Sequence, residues 1–272
     1  MKSIVTGGAG FIGSHLVESL VKKNHKVIVI DNFKVGRKKN LENVRKKIKI
    51  VNGDIRELKK ISKYFKGVDN VYHLAALADI VPSIENPSEY YSTNVTGTLN
   101  VLKASIQNNV KRFIYSASSS CYGIPKQYPT KENSDIRPEY PYALTKRLGE
   151  ELVLHFAKVY KLNATSLRFF NVYGLRARTS GSYGAVFGVF LAQILADKPL
   201  TIVGNGKQKR DFTYVSDVIS AITKVSKKRS LLGEVLNVGS GKTVSVNQIA
   251  KLLGGKKINI PRRPGEPDIT FA

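Results

Sequence analysis

A glycine-rich segment near the start of the chain constrains its fold more than any other feature. Residues 6–13 read Thr-Gly-Gly-Ala-Gly-Phe-Ile-Gly, follow the apolar pair Ile4-Val5, and open into Phe11 to Val21, whose apolar residues recur at helical spacing. A strand, a tight turn and a helix are therefore predicted. Glycine permits the turn and the close approach of backbone to phosphate, and the helix N-terminus offers N–H groups to an anion. The segment indicates a pyrophosphate site.

A second predicted strand supports this interpretation. It runs from Lys26 to Ile30 and ends in Asp31. An acidic residue about 20 residues after the glycines is where a ribose hydroxyl pair would be held. An ordinary strand–helix–strand turn without a ligand is the alternative.

Composition excludes several classes of protein. The chain has 272 residues, is 42% hydrophobic and holds one cysteine. It is long enough to bury a large core, and it lacks the run of about 18 apolar residues that a membrane span needs. The chain enters a predicted strand at once, so no signal peptide is expected. The single Cys121 fits a reducing, cytoplasmic compartment.

The net charge of +24 is large, and basic residues cluster at 37–39, 45–49 and 227–229. Such clusters can bind nucleic acid, or they can form a solvated surface whose field attracts anionic small substrates. The clusters lie in separate segments without interleaved aromatic residues. Binding to nucleic acid is therefore not favoured, and no metal site is predicted.

Strands and helices alternate through the first two thirds of the chain. Strands are predicted at 2–6, 26–31, 48–52, 69–75, 111–117 and 163–169. Helices are predicted near 11–23, 56–65, 82–107 and 142–161. Further on, the pattern predicts helices near 185–197, 215–227 and 245–252, and short strands near 200–204 and 234–238.

This alternation predicts the α/β class, a Rossmann-type doubly wound parallel sheet with a smaller C-terminal substrate-binding lobe. The expected division is a dinucleotide-binding domain over 1–171, with segments near 210–240 returning to it, and a lobe mainly over 172–272. Ligands of such sheets bind at the carboxyl ends of the strands, where the polar motifs of this chain fall.

Tyr142 and Lys146 are four residues apart, after the helix-start signal Pro141, and would share one helix face. An ammonium near a phenol lowers the pKa of the phenol and makes it a usable base. The other Tyr–Lys pair at this spacing, Tyr122 and Lys126, has Gly and Pro between its members and cannot lie on a regular helix. A surface Tyr and Lys without a role is the alternative.

Hydroxyls cluster where the predicted strand 111–117 ends. Residues 116–123 read Ser-Ala-Ser-Ser-Ser-Cys-Tyr-Gly. These hydroxyls could bind a sugar hydroxyl or a keto oxygen, although a serine-rich turn alone is the commoner explanation.

The motifs occur in an order that resembles a known family. They are the glycine segment, Asp31, Gly53-Asp54-Ile55, His73-Leu74-Ala75-Ala76, Asn94, the serine cluster, Tyr142 with Lys146, and residues 168–174 (Arg-Phe-Phe-Asn-Val-Tyr-Gly). The chain resembles extended short-chain dehydrogenases/reductases, specifically nucleotide-sugar epimerases of the UDP-galactose 4-epimerase type. The match runs from residue 2 to about residue 271, and relatives usually continue for some tens of residues beyond, so either the chain is cut short or its substrate-binding lobe is minimal.

The resemblance implies NAD as cofactor. The implied cofactor-binding residues are Gly7, Gly10, Phe11, Ile12, Asp31, Asn32, Asp54, Ile55, Leu74, Ala75, Ala76, Asn94, Tyr142, Lys146 and Phe170. The Asp31 carboxylate would repel a 2′-phosphate and so favours NAD over NADP. Lys34 and Arg37 lie close enough in sequence to leave NADP open.

The resemblance also implies a UDP-sugar substrate, with Ser118, Tyr142 and Lys146 as catalytic residues. The implied substrate-binding residues are Ser118, Ser119, Asn171, Ala185, Val186, Arg210, Arg263 and Glu266. A homodimer is expected through the helices near 82–107 and 142–161.

Two positions bear on the reaction. Related 4,6-dehydratases usually carry Asp and Glu where this chain has Ser119 and Ser120, which offer no carboxyl for elimination. The resemblance therefore favours 4-epimerisation of UDP-glucose and UDP-galactose through a transient 4-keto sugar. The small Thr270, at a position that limits the pocket near sugar C2, suggests that N-acetylated UDP-hexosamines also fit. A dehydratase or reductase of the same family, and a non-catalytic NAD- or RNA-binding protein, are the alternatives.

Overall fold

The computed structural model of the protein describes residues 1–177, 186–228, 231–262 and 267–272. Fourteen strands are described: β1 (Lys2–Thr6), β2 (Lys26–Asp31), β3 (Ile48–Asn52), β4 (Asn70–His73), β5 (Arg112–Ser118), β6 (Ala164–Phe169), β7 (Asn171–Tyr173), β8 (Leu200–Val203), β9 (Lys209–Arg210), β10 (Phe212–Tyr214), β11 (Val235–Val238), β12 (Val244–Ser245), β13 (Lys257–Ile260) and β14 (Ile269–Thr270).

Nine α-helices are described in the same ranges: α1 (Phe11–Lys22), α2 (Leu58–Ile61), α3 (Ile80–Glu85), α4 (Pro87–Tyr91), α5 (Gly97–Gln107), α6 (Pro141–Tyr160), α7 (Val186–Leu195), α8 (Val215–Val225) and α9 (Val246–Leu253). Short 3₁₀ segments cover Lys38–Lys47, Ser62–Phe65 and Ser119–Tyr122, and one π-helical turn covers Ser92–Thr96. None of the helices in the described ranges is long and apolar enough to cross a membrane.

A seven-stranded parallel sheet forms the centre, in the order β11-β6-β5-β4-β1-β2-β3. Its inner strands are covered on both faces, and all of β6 is buried although it contains Thr165, Ser166 and Arg168. One face packs against α1 and α8, and the other packs against α5 and α6. This arrangement confirms the predicted doubly wound α/β fold.

The strand order locates the crevice in which a ligand can bind. The chain builds outward from β1 to β3 and then crosses to β4 on the other side of β1. The carboxyl ends of β1 and β4 are therefore the topological switch point of the sheet, where connections diverge and leave an open cleft.

The helix predicted near 82–107 is interrupted. It consists of α3, α4, the π-helical turn and α5. Pro87 disfavours helical backbone at Asn86, and the Asn86 side chain accepts a hydrogen bond from the Glu89 N–H, which starts a new helix. The 3₁₀ segment at Lys38–Lys47 was not predicted, because its charged sequence has only two buried residues, Leu41 and Val44.

A second, smaller core lies among α7, β8 and α9. It is built from Phe190, Leu200, Ile202, Val246 and Ile249. Three small sheets accompany it, pairing β8 with β13, β9 with β12 and β14, and β7 with β10. The strand β11 joins the large sheet beside β6. The division of the chain at residue 171 stays a prediction.

Helix α6 lies unusually close to β5 at Gly149. A Cβ atom at this position would overlap the Tyr115 hydroxyl and lie 3.1 Å from the Asn94 carbonyl oxygen. The Tyr115 hydroxyl itself donates to the Lys146 carbonyl at 3.2 Å. Glycine is therefore required for this approach.

We expect Gly149→Ala to destabilise the protein by about 1–3 kcal/mol through overpacking, although alanine in an open helix would stabilise by about 1 kcal/mol. Urea denaturation measures the change. The double variant with Tyr115→Phe should recover part of the loss, because the overlapping hydroxyl is gone. An additive double mutant would show that Tyr115 is not the obstacle.

Candidate active site

The glycine turn connects β1 to α1 and approaches the end of β4. Gly7 has a φ of +68°, and a Cβ atom there would lie 2.7 Å from the Ala75 amide nitrogen. A Cβ atom at Gly13 would overlap the Gly7 carbonyl. A Cβ atom at Gly10 would have only the Gly7 carbonyl oxygen within 4 Å, at 3.1 Å. The outer side of the turn is therefore open. Gly10 precedes the first residue of α1, whose N-terminus favours an anion.

An open cleft, which we call the cofactor cleft, lies beside this turn at the switch point of the sheet, with about 620 Å³ of empty space including open solvent. It brings together eight of the residues predicted to bind the cofactor: Gly7, Gly10, Asp31, Asn32, Ile55, Leu74, Ala75 and Ala76. The glycine turn and the Asp31 carboxylate in its lining are the features that a dinucleotide site needs. Lys34, Arg56, Leu77 and Thr93 also line it. They were not predicted as cofactor-binding residues, because the first three lie in loops and Thr93 lies in the π-helical turn, outside the motifs.

Asp31 is held in place by backbone donors. One carboxylate oxygen accepts the Ala9 N–H at 2.9 Å, and the other accepts the Phe33 N–H at 2.8 Å. Burial raises the pKa of Asp31, and these two N–H groups oppose the rise. Each oxygen keeps a further lone pair with which to accept a ribose hydroxyl.

Asp54 and Asn32 contact each other at the edge of the cleft. The Asn32 amide donates to Asp54 at 2.9 Å, and Arg56 binds both Asp54 oxygens at 2.9 and 2.7 Å. The hydrogen bonds from Arg56 lower the pKa of Asp54 to about 2. Asp54 is thus ionised at neutral pH, and it shapes the loop in addition to any contact with adenine.

Asn94 supports the wall of the cleft from the π-helical turn. Its amide donates to the Leu77 carbonyl and to the Thr145 hydroxyl, both at 3.0 Å, and its oxygen accepts the Leu77 N–H at 2.8 Å. Asn94 therefore connects the loop after β4 to the helix that carries Tyr142 and Lys146. π-helical turns are frequent at functional sites because they re-aim a side chain in this way.

A buried chain of hydrogen bonds joins β1 to the same turn. Thr98 donates to the Asn94 carbonyl at 2.6 Å, so its oxygen must accept from Nε2 of His73 at 2.9 Å. Nδ1 of His73 then accepts from Thr6 at 2.6 Å, and Thr6 accepts the Ala75 N–H at 3.3 Å. Burial lowers the pKa of His73 to about 3, so the ring is neutral and its tautomer is fixed. Apart from the motif that contains His73, no local pattern indicated this role.

Three hydroxyls meet at the carboxyl end of β5. The Ser120 hydroxyl donates to Ser118 at 2.8 Å, and both serine hydroxyls lie close enough to the Tyr142 phenol to act on its pKa. Burial raises the pKa of Tyr142, the serine hydroxyls oppose the rise, and the Asp79 carboxylate adds to it. The structure thus brings together Ser118 and Tyr142, as predicted from the motifs.

Lys146 lies one turn further along α6. It is buried, and its ammonium nitrogen is 4.3 Å from the centre of the Tyr115 ring. Burial lowers the pKa of Lys146 to about 7, with Glu150 opposing. The expectation that Lys146 lowers the pKa of Tyr142 is wrong for this structure, because burial of the phenol dominates and the lysine faces Tyr115.

A buried ion pair anchors α6 to the sheet. Arg168 on β6 binds Glu150 at 2.7 Å, and the two side chains are 3% and 1% exposed. The same guanidinium donates to the Tyr122 hydroxyl at 2.7 Å and to the Glu132 carbonyl at 2.9 Å. Arg168 therefore connects the catalytic helix to the turn that follows Ser118. This function of Arg168 and Glu150 was missed in the sequence, where charge pairing across elements has no local pattern.

The predicted substrate residues lie around β7, β9 and β14. Asn171 donates to the Thr270 hydroxyl at 2.9 Å, and Thr270 pairs with Arg210 between β14 and β9. Arg210 is 9% exposed and donates to the Lys209 carbonyl at 2.9 Å. The structure thus brings Asn171 and Arg210 to one place.

The remaining predicted residues have these positions. Phe11 and Ile12 begin α1, Ser119 begins the 3₁₀ turn after β5, and Val186 begins α7. Phe170 is buried beside Tyr122, with ring centres 6.5 Å apart. Ala185, Arg263 and Glu266 lie outside the described residues.

The low pKa of Lys146 predicts a pH dependence of stability. The folded-state pKa of about 7 lies below the usual 10.5, so the unfolded chain binds more protons between these values. Between pH 7 and pH 10.5, the free energy of unfolding should therefore rise by up to about 1.4 kcal/mol per pH unit. Below pH 7 the buried lysine is charged in the folded protein, and the full cost of burying that charge lowers the stability.

Lys146→Met should remove this rise and stabilise the protein at pH 6–7. Urea denaturation from pH 6 to pH 9 measures it, with the exposed Lys158→Met on the same helix as the control. Parallel pH profiles for the wild type and Lys146→Met would contradict the prediction.

Comparison with known proteins agrees with this geometry. Residues 3–239 match the NAD dependent epimerase/dehydratase family. A putative UDP-glucose 4-epimerase of Methanocaldococcus jannaschii is 37% identical over 252 residues, which are 92% of this chain and 80% of the relative. A UDP-N-acetyl-alpha-D-glucosaminuronate decarboxylase of Bacillus cytotoxicus is 36% identical over 257 residues, 92% of this chain and 78% of the relative.

A solved structure is also similar over the whole chain. The UDP-N-acetylglucosamine 4-epimerase of Methanobrevibacter ruminantium M1, in complex with UDP-N-acetylmuramic acid, has a TM-score of 0.95 and 34% identity, covering 100% of this chain and 88% of that one. The resemblance inferred from the motifs is confirmed, while the individual residue assignments stay predictions. The chain belongs to the NAD-dependent epimerase/dehydratase family of the extended short-chain dehydrogenases/reductases, and its cofactor is NAD.

Proposed function

We propose that the protein is a UDP-sugar 4-epimerase that interconverts UDP-glucose and UDP-galactose and also accepts N-acetylated UDP-hexosamines. The observation that carries the proposal is the proximity of the Tyr142 phenol to the Ser118 and Ser120 hydroxyls at the carboxyl end of β5, one helical turn from Lys146. Phenol, hydroxyl and amine together can remove and return a proton at a sugar hydroxyl. The epimerase names of two of the similar proteins support the same activity.

The protein groups divide the work of proton transfer. When bound, NAD would supply the reversible hydride-transfer chemistry of the reaction. Tyr142 would take the proton of the sugar 4-hydroxyl and later give it back, and Ser118 would hydrogen-bond the oxygen as it becomes a carbonyl. Because burial raises the pKa of Tyr142, the phenolate needs stabilisation by cationic charge in the loaded site. A protonated Lys146 is the nearest group of this chain on the same helix face that can contribute it.

The nucleotide is proposed to bind at the smaller core. Arg210 would hold the diphosphate with Asn171, since a guanidinium binds phosphate oxygens in a bidentate way. Ala185 and Val186 are proposed to line the uracil region, and Arg263 and Glu266 to close over the nucleotide.

A dehydratase or decarboxylase is the second candidate. The decarboxylase among the similar proteins is a reason to keep it, and Asp79 is an acid whose charge acts on Tyr142. Ser119 and Ser120 favour epimerisation, because a hydroxyl at these positions cannot act as the acid or base of an elimination.

We further propose a homodimer formed through α5 and α6, and a cytoplasmic location. Leu144, Val159 and Tyr160 on α6 are 47%, 52% and 53% exposed, respectively, which is high for apolar and aromatic side chains. The one cysteine, Cys121, is buried and free.

The wild-type protein with NAD should convert UDP-glucose into UDP-galactose, and product stereochemistry can be read by NMR. Tyr142→Phe should lower kcat by about 10²–10⁴, because the proton acceptor is lost. Tyr160→Phe, at the far exposed end of the same helix, should leave kcat unchanged. A stable keto sugar, or loss of carbon dioxide from a UDP-uronic acid, would instead identify the second candidate. Full activity of Tyr142→Phe would refute the proposed base.

A further inference from the structure

Two cations line the adenosine end of the cofactor cleft among the lining residues that the structure describes. They are Lys34, in the loop after β2, and Arg56, in the loop after β3. Both could attract a phosphate, yet the buried Asp31 lies between the same loops and the glycine turn. The charge state of these cations therefore bears on which dinucleotide the cleft prefers.

Each cation is paired with a carboxylate. Arg56 binds both oxygens of Asp54, and Lys34 binds Glu89 on α4. The Glu89 charge also raises the pKa of Arg56, so its field reaches both cations. The pairs leave Asp31 as the uncompensated charge among these five side chains.

Glu89 is held in position for this contact. Its N–H donates to the Asn86 side chain at 3.3 Å, and the Asn86 amide donates to a Glu89 oxygen at 3.4 Å. At the other end of the pair, the Lys34 N–H donates to the Asn32 side chain at 3.1 Å. The Lys34–Glu89 pair consequently joins the loop after β2 to α4.

We propose that Glu89 is a specificity-determining residue, which neutralises Lys34 and thereby makes the cleft discriminate against a dinucleotide that carries a 2′-phosphate. Asp31 alone would repel that phosphate, but an unpaired Lys34 beside it would offset the repulsion. The inference concerns the cofactor cleft only and does not depend on the identity of the sugar.

The test measures binding directly. Calorimetric titration of the full-length protein with NAD and with NADP gives two dissociation constants for each variant. Glu89→Gln keeps the shape of the side chain and its contact with Asn86 but removes the charge. We expect NADP to bind about three- to tenfold more tightly to Glu89→Gln, and NAD to change less than twofold, since one exposed charge pair is worth about 1 kcal/mol.

Two further variants separate this effect from a general change in charge. Glu85→Gln on α3 removes the same charge from an exposed position outside the cleft lining, and it should leave the ratio of the two constants unchanged. Lys34→Gln combined with Glu89→Gln should abolish the gain in NADP affinity. The gain should also shrink at high salt, as expected for an exposed charge.

An unchanged ratio in Glu89→Gln, or an equal change in Glu85→Gln, would overturn the proposal. So would a Glu89→Gln protein that still shows no NADP binding at millimolar concentration. Because the titration uses no sugar, a failure of the proposed epimerase activity would leave this result unaffected.

Discussion

The ion pair between Glu150 and Arg168 is the interaction on which the candidate active site depends. Both groups are almost fully buried, and a single guanidinium contacts α6, the turn after β5 and the segment at Glu132. Taking two charges out of water is costly, so such a pair contributes little net stability compared with well-packed apolar residues. Removing one partner, however, leaves a buried charge without compensation. The pair therefore fixes one arrangement of Tyr142 relative to Ser118, and alternatives to that arrangement are strongly disfavoured.

The same principle operates on the other side of the cleft. The neutral His73 ring and its two threonine partners connect the glycine turn to the π-helical turn, and Asn94 continues the connection to α6. From Thr6 through His73 to Thr98, each donor has a single acceptor, so the direction of these hydrogen bonds is determined. The wall of the cofactor cleft and helix α6 are thus positioned by buried hydrogen bonds whose donors all have acceptors, in addition to apolar packing.

Sequence reasoning predicted the central sheet well, because strands such as β2 carry a continuous apolar run and alternate with segments of helix length. It also located Gly7, Asp31, Ser118 and Tyr142, whose roles depend on local motifs. It missed Arg168, His73 and Glu89, whose partners are distant in the chain and leave no periodic signal. It misjudged the pKa of Tyr142 for a related reason: spacing places two side chains on one face of a helix, but burial is a property of the whole fold.

The π-helical turn at Ser92–Thr96 has an evolutionary consequence. A regular α-helix advances about 100° per residue, so one extra residue accommodated as a wider turn rotates everything beyond it by about that angle. Asn94 now hydrogen-bonds both Leu77 and Thr145. Deletion of a single codon here would restore the regular helix and turn the Asn94 side chain away from one of these two partners. This stretch of the gene should therefore tolerate substitutions at exposed positions far more readily than changes in length.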